Sequence, residues 1–482
     1  MISIQDTITQ TWKEVLNLET VGLDDNFFDV GGTSVQALKI IEQVKSKGIS
    51  IPFVKMFTCQ TIREISEVAT IVDNNTNDIS NLMKAVHKIN DFVPSDEYKA
   101  ILNDYFKKSE SIEYISIPDA KNIFITGATG YLACHLIEQI LLNSNTKVYA
   151  LVRGANSQVA TERFWKVFNY YFPNDGYQQK YQDRISIVIG DLTKDRFGLS
   201  ESEYETLSTE VDSVLHTAGN INHYGVWSDF ESINLNGTKR IIEFAKHSTK
   251  KRLNHISTIS TNYTYNRCEN PVPFTEYDIL TGEDAENFYI KSKLMAENLV
   301  VNEKDTLDIK IFRPSNIIQS YRTGMYPYGT TKDTLFKVNT ELTLLNLLAE
   351  DNIMLDLPQR LLDFSYIDET AQSIYKLMTI KETDGYMYNI FNPNRMSISE
   401  YADRLNLNKL SIEEFEQYLK DHEDTLLGDI KQLCTLSIAD GNINQALIVT
   451  PENAKTTNLL KDIGFEWHAL EDKNLSDIVN FK

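Results

Sequence analysis

The sequence predicts a multi-domain chain: a small all-α bundle, then an α/β domain on a doubly wound parallel sheet, then a mainly helical C-terminal subdomain. Three observations predict it. Residues 1–72 carry only helix-period apolar patterns. From residue 121, short apolar runs alternate with helical patterns, the signature of repeated βα units. The first of those runs ends directly in a glycine turn, Thr126-Gly127-Ala-Thr-Gly130.

The 482 residues leave room for about two to four domains and an ample core. Apolar content of 42% and charged content of 24% are those of a globular protein. The net charge of −21 speaks against binding nucleic acid or an anionic membrane. No apolar run approaches the roughly 18 residues of a membrane span. Residues 1–20 carry Asp6, Glu14 and Glu19 and lack a signal pattern. Cys59, Cys134, Cys268 and Cys434 are scattered, with no CxxC pair. They read as reduced thiols of a cytoplasmic protein, not as a disulfide frame or metal site.

In chain order, Ile8, Trp12, Val15 and Leu16 line one face of a first helix. Val35, Leu38, Ile40 and Ile41 mark a second, entered through Gly31-Gly32-Thr33-Ser34. Ser34 can cap that helix or present its hydroxyl to an enzyme. Ile51-Pro-Phe53, Phe57 and Thr61-Ile-Arg-Glu-Ile65 close the bundle at residue 72. Asp73–Asp78 is a polar break that starts a partly helical linker, residues 73–118. Within it Ser95 can cap a helix whose Tyr98, Ile101, Leu102, Tyr105 and Phe106 share one face. Such a stripe is expected to dock on the next domain.

Strands are expected at 122–126, 147–152, 185–189, 212–216, 253–257 and 309–312, within an α/β domain of residues 119–395. Residues 396–482 read as a helical, substrate-binding subdomain. Ser411-Ile-Glu-Glu414 forms a capping box, and Leu459–Ile463 a helix ended by Gly464.

The motifs carry the chemistry. After the first strand, Gly127 makes the tight turn and Gly130 admits a pyrophosphate. The amides of Thr129, Tyr131 and Leu132 surround that helix start, and Ala133 allows close packing. The second strand ends at Arg153, with no acid through residue 161. Arg153, with Arg163 nearby, can grip a 2′-phosphate, which selects NADPH; the alternative is a solvated surface arginine. Asp191 and Leu192 follow the third strand, where Asp191 either contacts adenine or caps a loop. His216 ends the fourth, beside the ribose and nicotinamide positions or as a structural histidine. Tyr289 and Lys293 stand one helical turn apart. A cation there would lower the phenol's pKa, as a proton donor near neutral pH requires. Thr258, after the fifth strand, can offer a hydroxyl to the same carbonyl, with Ser257, Ser260 and Thr261 as competitors. Arg313-Pro314-Ser315-Asn316 closes the sixth strand on the nicotinamide side.

Two resemblances follow. The run Asp25-Asn-Phe-Phe-Asp-Val-Gly-Gly-Thr-Ser34 resembles the phosphopantetheine attachment site of carrier domains in nonribosomal peptide synthetases. Val30 stands where leucine is usual, and Thr33 where histidine or aspartate is common. The GxxGxxA turn, Thr258, Tyr289 and Lys293 resemble the extended short-chain dehydrogenase/reductases. With Asp363–Asp368 and Tyr388–Pro393, residues 121–482 resemble the terminal thioester reductase domain of those synthetases. The resemblance implies a four-helix carrier bundle with 4′-phosphopantetheine on Ser34, followed by a Rossmann-like NADPH domain.

It also implies reductive release of a tethered acyl or peptidyl thioester as an aldehyde, or after a second hydride as an alcohol. Tyr289 and Thr258 would stabilise and protonate the oxygen, and Lys293 would hold the ribose. Upstream adenylation and condensation modules and a phosphopantetheinyl transferase are the implied partners. The opening almost directly on the first carrier helix reads as a piece of a larger synthetase. Two rival readings are a redox-silent, Dieckmann-type cyclase, whose members generally lack the tyrosine, and a non-catalytic carrier-docking module.

Overall fold

The structure, a computed structural model, describes residues 3–27, 29–32, 34–51, 55–56, 59–71, 78–222, 226–262, 271–280, 287–330, 340–383, 385–421, 451–471 and 475. The expected positions Phe28, Thr33, Phe53, Phe57, Cys268 and Cys434, and the polar run 73–77, lie outside these.

The N-terminal unit holds helices Ile4–Leu16, Ser34–Ser46 and Ile62–Val68. Ser3 caps the first by accepting the Asp6 amide at 3.0 Å, and Asn17 ends it in the left-handed region at φ 55°. Thr61 and Glu64 form a capping box on the third. Ile8, Trp12, Phe27, Ala37, Ile40, Val44, Ile62 and Ile65 share one core, in which Trp12 meets Phe27 edge-on at 4.8 Å. A two-stranded pair, Ile49–Ser50 with Thr70–Ile71, closes the unit.

The α/β domain is built on seven strands: β1 Asn122–Thr126, β2 Lys147–Val152, β3 Ile185–Ile189, β4 Ser213–His216, β5 Arg252–Ile256, β6 Asp308–Pro314 and β7 Met387–Ile390. Their order is β7-β6-β5-β4-β1-β2-β3, all parallel. The order reverses between β1 and β4, which makes a ligand crevice at the C-terminal ends of those strands. Alternation along β1 explains the two covered faces. Ile123 and Ile125 join the cluster under helices Tyr131–Asn143, Ser157–Tyr171 and Ile367–Met378. Phe124 joins the cluster under Glu201–Glu210 and Asn236–Lys246.

Six strands match the sequence expectation to within two residues at each end. The seventh, Met387–Ile390, was outside it.

The C-terminal region mixes helices with short strands. Ile353–Leu355 pairs parallel with Asn408–Leu410, and Leu361–Leu362 antiparallel with Met396–Ser397. One apolar cluster joins helix Thr340–Glu350 to Ile398–Arg404 and Ile412–Asp421. The capping box forms, with the Ser411 amide 2.8 Å from Glu414 Oε2. Helix Ala454–Asp462 packs elsewhere. Its Leu459 and Leu460, with Phe465 and Trp467, sit in the core beneath the sheet's helix Ile367–Met378.

The linker packs on this body. Met83, Val86 and Ile89 of helix Asp78–Asn90 enter the C-terminal cluster. Helix Asp96–Ser109, capped by Ser95, buries Tyr98, Tyr105 and Ser109. Ile101 and Phe106, expected on the same face, are 39% and 40% exposed. The buried face runs 98, 105, 109, so it is turned slightly from the expected stripe. Strand Tyr114–Ser116 then adds antiparallel to Ile380–Glu382.

Candidate cofactor and catalytic site

Because all seven strands run one way, their C-terminal ends share one edge. The turn 127–132 follows β1, Arg153 follows β2, and Asp191 and Leu192 follow β3. His216 ends β4, Thr258 follows β5, and Ser315 and Asn316 follow β6.

At the β1 end the backbone needs glycine. Gly127 has φ 68°, and a Cβ there would lie 2.8 Å from the Ala218 amide and Thr217 Oγ1. Gly130 donates to the Gly127 carbonyl at 2.7 Å and caps helix Tyr131–Asn143 without any side-chain bond. First-turn amides, a positive dipole end and a glycine-lined approach fit a pyrophosphate. The side chains of Tyr131 and Leu132 look elsewhere. The Tyr131 hydroxyl donates to the carbonyls of Met325 and Ile318 at 2.7 and 3.1 Å, and Leu132 packs on the core. Their contribution to the cradle is the backbone.

Arg153 is exposed at the β2 tip. Gly154 presses that tip onto the next helix, since a Cβ there would lie 2.8 Å from the Ala160 amide. Arg163 Nη1 donates to the Arg153 backbone carbonyl at 3.3 Å, which ties the two predicted residues at this tip. Asp191 accepts the Thr193 amide and hydroxyl at 2.9 and 2.8 Å, as a turn cap does. Partial burial would lift its carboxyl, yet the Thr193 bonds and the charge of Arg153 hold it below the usual range. Leu192 is buried against Gly237.

His216 is a structural histidine here. Its Nδ1 meets Thr126 Oγ1 at 2.8 Å and its Nε2 meets Thr238 Oγ1 at 3.1 Å. Burial, with the charge of Lys293, depresses its pKa to about 3, so the ring is neutral.

Asn287 caps helix Phe288–Val301 by accepting the Ile290 amide at 3.1 Å, which places Tyr289 in the first turn. Tyr289 and Thr258 are 8% and 7% exposed, and the Thr258 side chain is near enough to lower the pKa of the Tyr289 phenol. Two of the three competitors at β5 are occupied. Ser257 donates to Glu297 Oε2 at 2.7 Å, and Thr261 to the Thr258 carbonyl at 2.9 Å. Lys293 has a partner the sequence did not indicate. Its Nζ donates to the Ile256 carbonyl at 2.6 Å. Burial pushes its ammonium down to about 8, opposed by the charge of Glu297. Burial also raises the Tyr289 phenol above its ordinary value, and Thr258 offsets part of this.

Ser315 and Asn316 are both tied to Asp363, Ser315 through its hydroxyl and Asn316 through Nδ2 at 2.7 Å. They pin the β6 exit to strand Ser365–Tyr366, which pairs parallel with Ile317–Ile318.

The sequence reading missed three residues. Asn234, in the π-turn Glu231–Leu235, donates to Ser292 Oγ at 2.8 Å and accepts the Asn220 amide at 2.6 Å. No motif marks it. Glu297 forms a buried ion pair with Arg313. Its signal was the continued four-residue spacing from Tyr289 and Lys293. His255, 1% exposed, has no hydrogen-bond partner for either ring nitrogen among the described residues.

In the N-terminal unit Ser34 is the first residue of helix Ser34–Ser46. The preceding loop is fixed from below: the Phe27 amide donates to the Gln60 carbonyl and Asn26 Nδ2 to Gln60 Oε1, both at 2.8 Å. Gly31 has φ 96°, and a Cβ on Gly32 would lie 2.5 Å from the Phe27 carbonyl oxygen. Both glycines are required to bring the chain to Ser34.

A glycine-cradled crevice beside a buried threonine–tyrosine pair defines a nucleotide-binding α/β domain of the dehydrogenase/reductase type. The model described as male sterility protein, an NAD-binding family, matches residues 125–373, more than half of the chain, and the chain belongs to that family. The phosphopantetheine attachment site model matches residues 6–69. A linear gramicidin synthase of Brevibacillus parabrevis is 24% identical over 98% of this chain, which spans 9% of that relative. L-2-aminoadipate reductase of Saccharomyces cerevisiae is 26% identical over 62% of this chain, and the match covers 23% of that enzyme. Among solved structures, a thiolation-reductase di-domain from an archaeal nonribosomal peptide synthetase has the same fold. Its TM-score is 0.76 at 23% identity, covering 99% of this chain and 96% of that one. The terminal R domain of the myxalamid pathway superposes with a TM-score of 0.61 at 21% identity over 79% of this chain and 97% of that one. The chain is thus a phosphopantetheine carrier domain followed by an NAD-binding Rossmann-like domain.

Proposed function

We propose that this chain releases an acyl or peptidyl group from its own carrier by NADPH-dependent reduction of the thioester, giving an aldehyde. The observation that carries the reading is the buried placement of Thr258, after β5, and Tyr289, one turn from Lys293, at the crevice edge of a chain that also bears a carrier.

NADPH would supply the hydride. The 127–132 turn would hold its pyrophosphate, and Arg153 with Arg163 its 2′-phosphate. Reduction of a thioester takes one hydride and one proton, breaks the carbon–sulfur bond and leaves an aldehyde and a free thiol. Tyr289 is the proton source for the carbonyl oxygen, and burial keeps its phenol protonated until negative charge develops beside it. Thr258 offers a second hydroxyl to that oxygen. Lys293 anchors the catalytic helix and contributes positive charge to the pocket. A second cycle on the aldehyde would give an alcohol. Ser34 would carry the arm, installed by a phosphopantetheinyl transferase, and upstream adenylation and condensation modules would load it.

The test is to load the arm with a model acyl chain, add NADPH, and follow cofactor oxidation against trapped aldehyde. One equivalent of each per loaded arm supports the reading. Intact NADPH and an unreleased or cyclised chain would refute it.

A further inference from the structure

The linker helix Asp96–Ser109 reaches helix Phe288–Val301 through a chain of polar contacts joined by one backbone turn. Tyr105, 3% exposed, donates to Glu276 Oε2 at 2.8 Å. Glu276 lies in a four-residue turn, Thr275–Asp278, closed by Asp278 accepting the Thr275 amide at 2.8 Å. On the far side of the turn, the Asp278 carbonyl accepts Arg313 Nη2 at 2.7 Å. Arg313, fully buried, pairs with Glu297, which accepts the Ser257 hydroxyl and stands one turn from Lys293. Ser257 is the residue before Thr258.

The near end of this chain is also anchored. Helix Ala454–Asp462 has no side-chain cap of its own. Its first amides are met from outside: Lys455 donates to the Tyr105 hydroxyl at 3.2 Å and Thr456 to Glu276 Oε1 at 3.1 Å. A buried carboxylate at a helix N-terminus is stabilised there by the amides and the dipole. The turn is therefore clamped between the linker and that helix, and it passes the clamp on to Arg313.

We propose that the linker helix is a positioning element of the reductase site, acting through Tyr105 and Glu276 on the Arg313–Glu297 pair that sets Ser257 and the catalytic helix. This rests on the reductase reading for its kinetic arm but not for its structural arm. Tyr105 touches neither substrate nor cofactor; it fixes the frame in which Thr258, Tyr289 and Lys293 meet. The carrier's tether and the site's frame are then one continuous element.

The experiment uses the full chain with three variants. Tyr105→Phe and Glu276→Gln each remove one link while keeping shape. Asn458→Ala removes a bond from the same linker helix, 2.7 Å to the Ser109 carbonyl, that does not enter the turn. Hydrogen exchange is read over residues 274–280 and the first turn of helix Phe288–Val301. Steady-state reduction of a small soluble thioester is read in parallel. Tyr105→Phe and Glu276→Gln are expected to raise exchange in both segments and to lower kcat about fivefold, a scale usual for coupling through packed networks. KM and the NADPH dissociation constant should stay within about twofold, with Asn458→Ala like wild type throughout. Unchanged exchange in Tyr105→Phe and Glu276→Gln overturns the proposal. So does a kcat loss shared equally by Asn458→Ala, which would mark general loosening. A wild type without NADPH-dependent turnover would refute the reductase reading alone, and exchange would still decide the linker's role.

Discussion

Lys293 reaches the carbonyl oxygen of Ile256 across 2.6 Å, tying helix Phe288–Val301 to the strand end that precedes Thr258. The lysine thus acts first as a strut between helix Phe288–Val301 and β5. Its ammonium, pushed down to about 8 by burial, is stabilised by Glu297 one turn on. Tyr289, Lys293 and Glu297 form a ladder at four-residue spacing, with Glu297 passing the connection to Arg313.

Tyr289→Phe keeps the buried ring and removes one proton and one donor. Turnover should fall at least about a hundredfold, the usual scale for a general acid that also stabilises an oxyanion. NADPH affinity should hold, as measured by fluorescence titration. Turnover near wild type would mean that another group protonates the product.

Arg153→Ala removes the exposed cation at the β2 tip. The NADPH dissociation constant should rise tenfold or more, about 1.4 kcal/mol, while that for NADH barely moves. The Asp191 carboxyl, relieved of that charge, should titrate higher. Equal affinity of the wild type for the two cofactors would contradict the assignment.

Ser34→Ala should abolish the gain of about 340 Da that coenzyme A and a phosphopantetheinyl transferase give the wild type. Intact-mass spectrometry reads it directly. An adduct that survives the substitution would place the arm elsewhere.

Stability should depend on pH through the buried histidines. Burial depresses His135 to about 4, His216 to about 3 and His255 well below its ordinary value. Below pH 6.5 the unfolded chain takes up protons that the folded chain refuses. Each histidine then withdraws up to about 1.4 kcal/mol per pH unit until its folded pKa is reached. Glu276 and Glu452, raised by burial, oppose this below their folded pKa values. His255 has no hydrogen bond to lose among the described residues. His255→Phe should therefore match the wild type at pH 7 and resist acid better, as read by denaturant melts at pH 7 and 5. Parallel curves for the two proteins would exclude His255 from the acid response.

Much of this was legible because each motif states its own backbone demand. Gly127 at positive φ, Ser95 and Ser411 as caps, and alternation along β1 are local rules that the fold obeys. What stayed hidden is non-local. Asn234 works through Asn220 and Ser292, 14 and 58 residues away, and nothing near it signals that. Ser315 and Asn316 were placed at the right strand end, but their partner Asp363 lies 48 and 47 residues on. The Ile256 carbonyl that Lys293 reaches was not legible, because spacing shows which groups share a face, not which acceptor lies across from it. The helix at Leu459–Leu460 was legible, but its packing beneath the sheet was not. A truncation at residue 396 would thus strip part of the sheet's core.

The most direct test loads the Ser34 arm with an acyl chain, adds NADPH deuterated at the nicotinamide C4 position, and reads the released product by mass spectrometry. The expected product is an aldehyde carrying one deuterium from the face of the nicotinamide that Tyr289 and Thr258 attend, with no release in Tyr289→Phe on the same timescale. A product released without deuterium, or in a ring-closed form with the cofactor intact, would contradict reductive release.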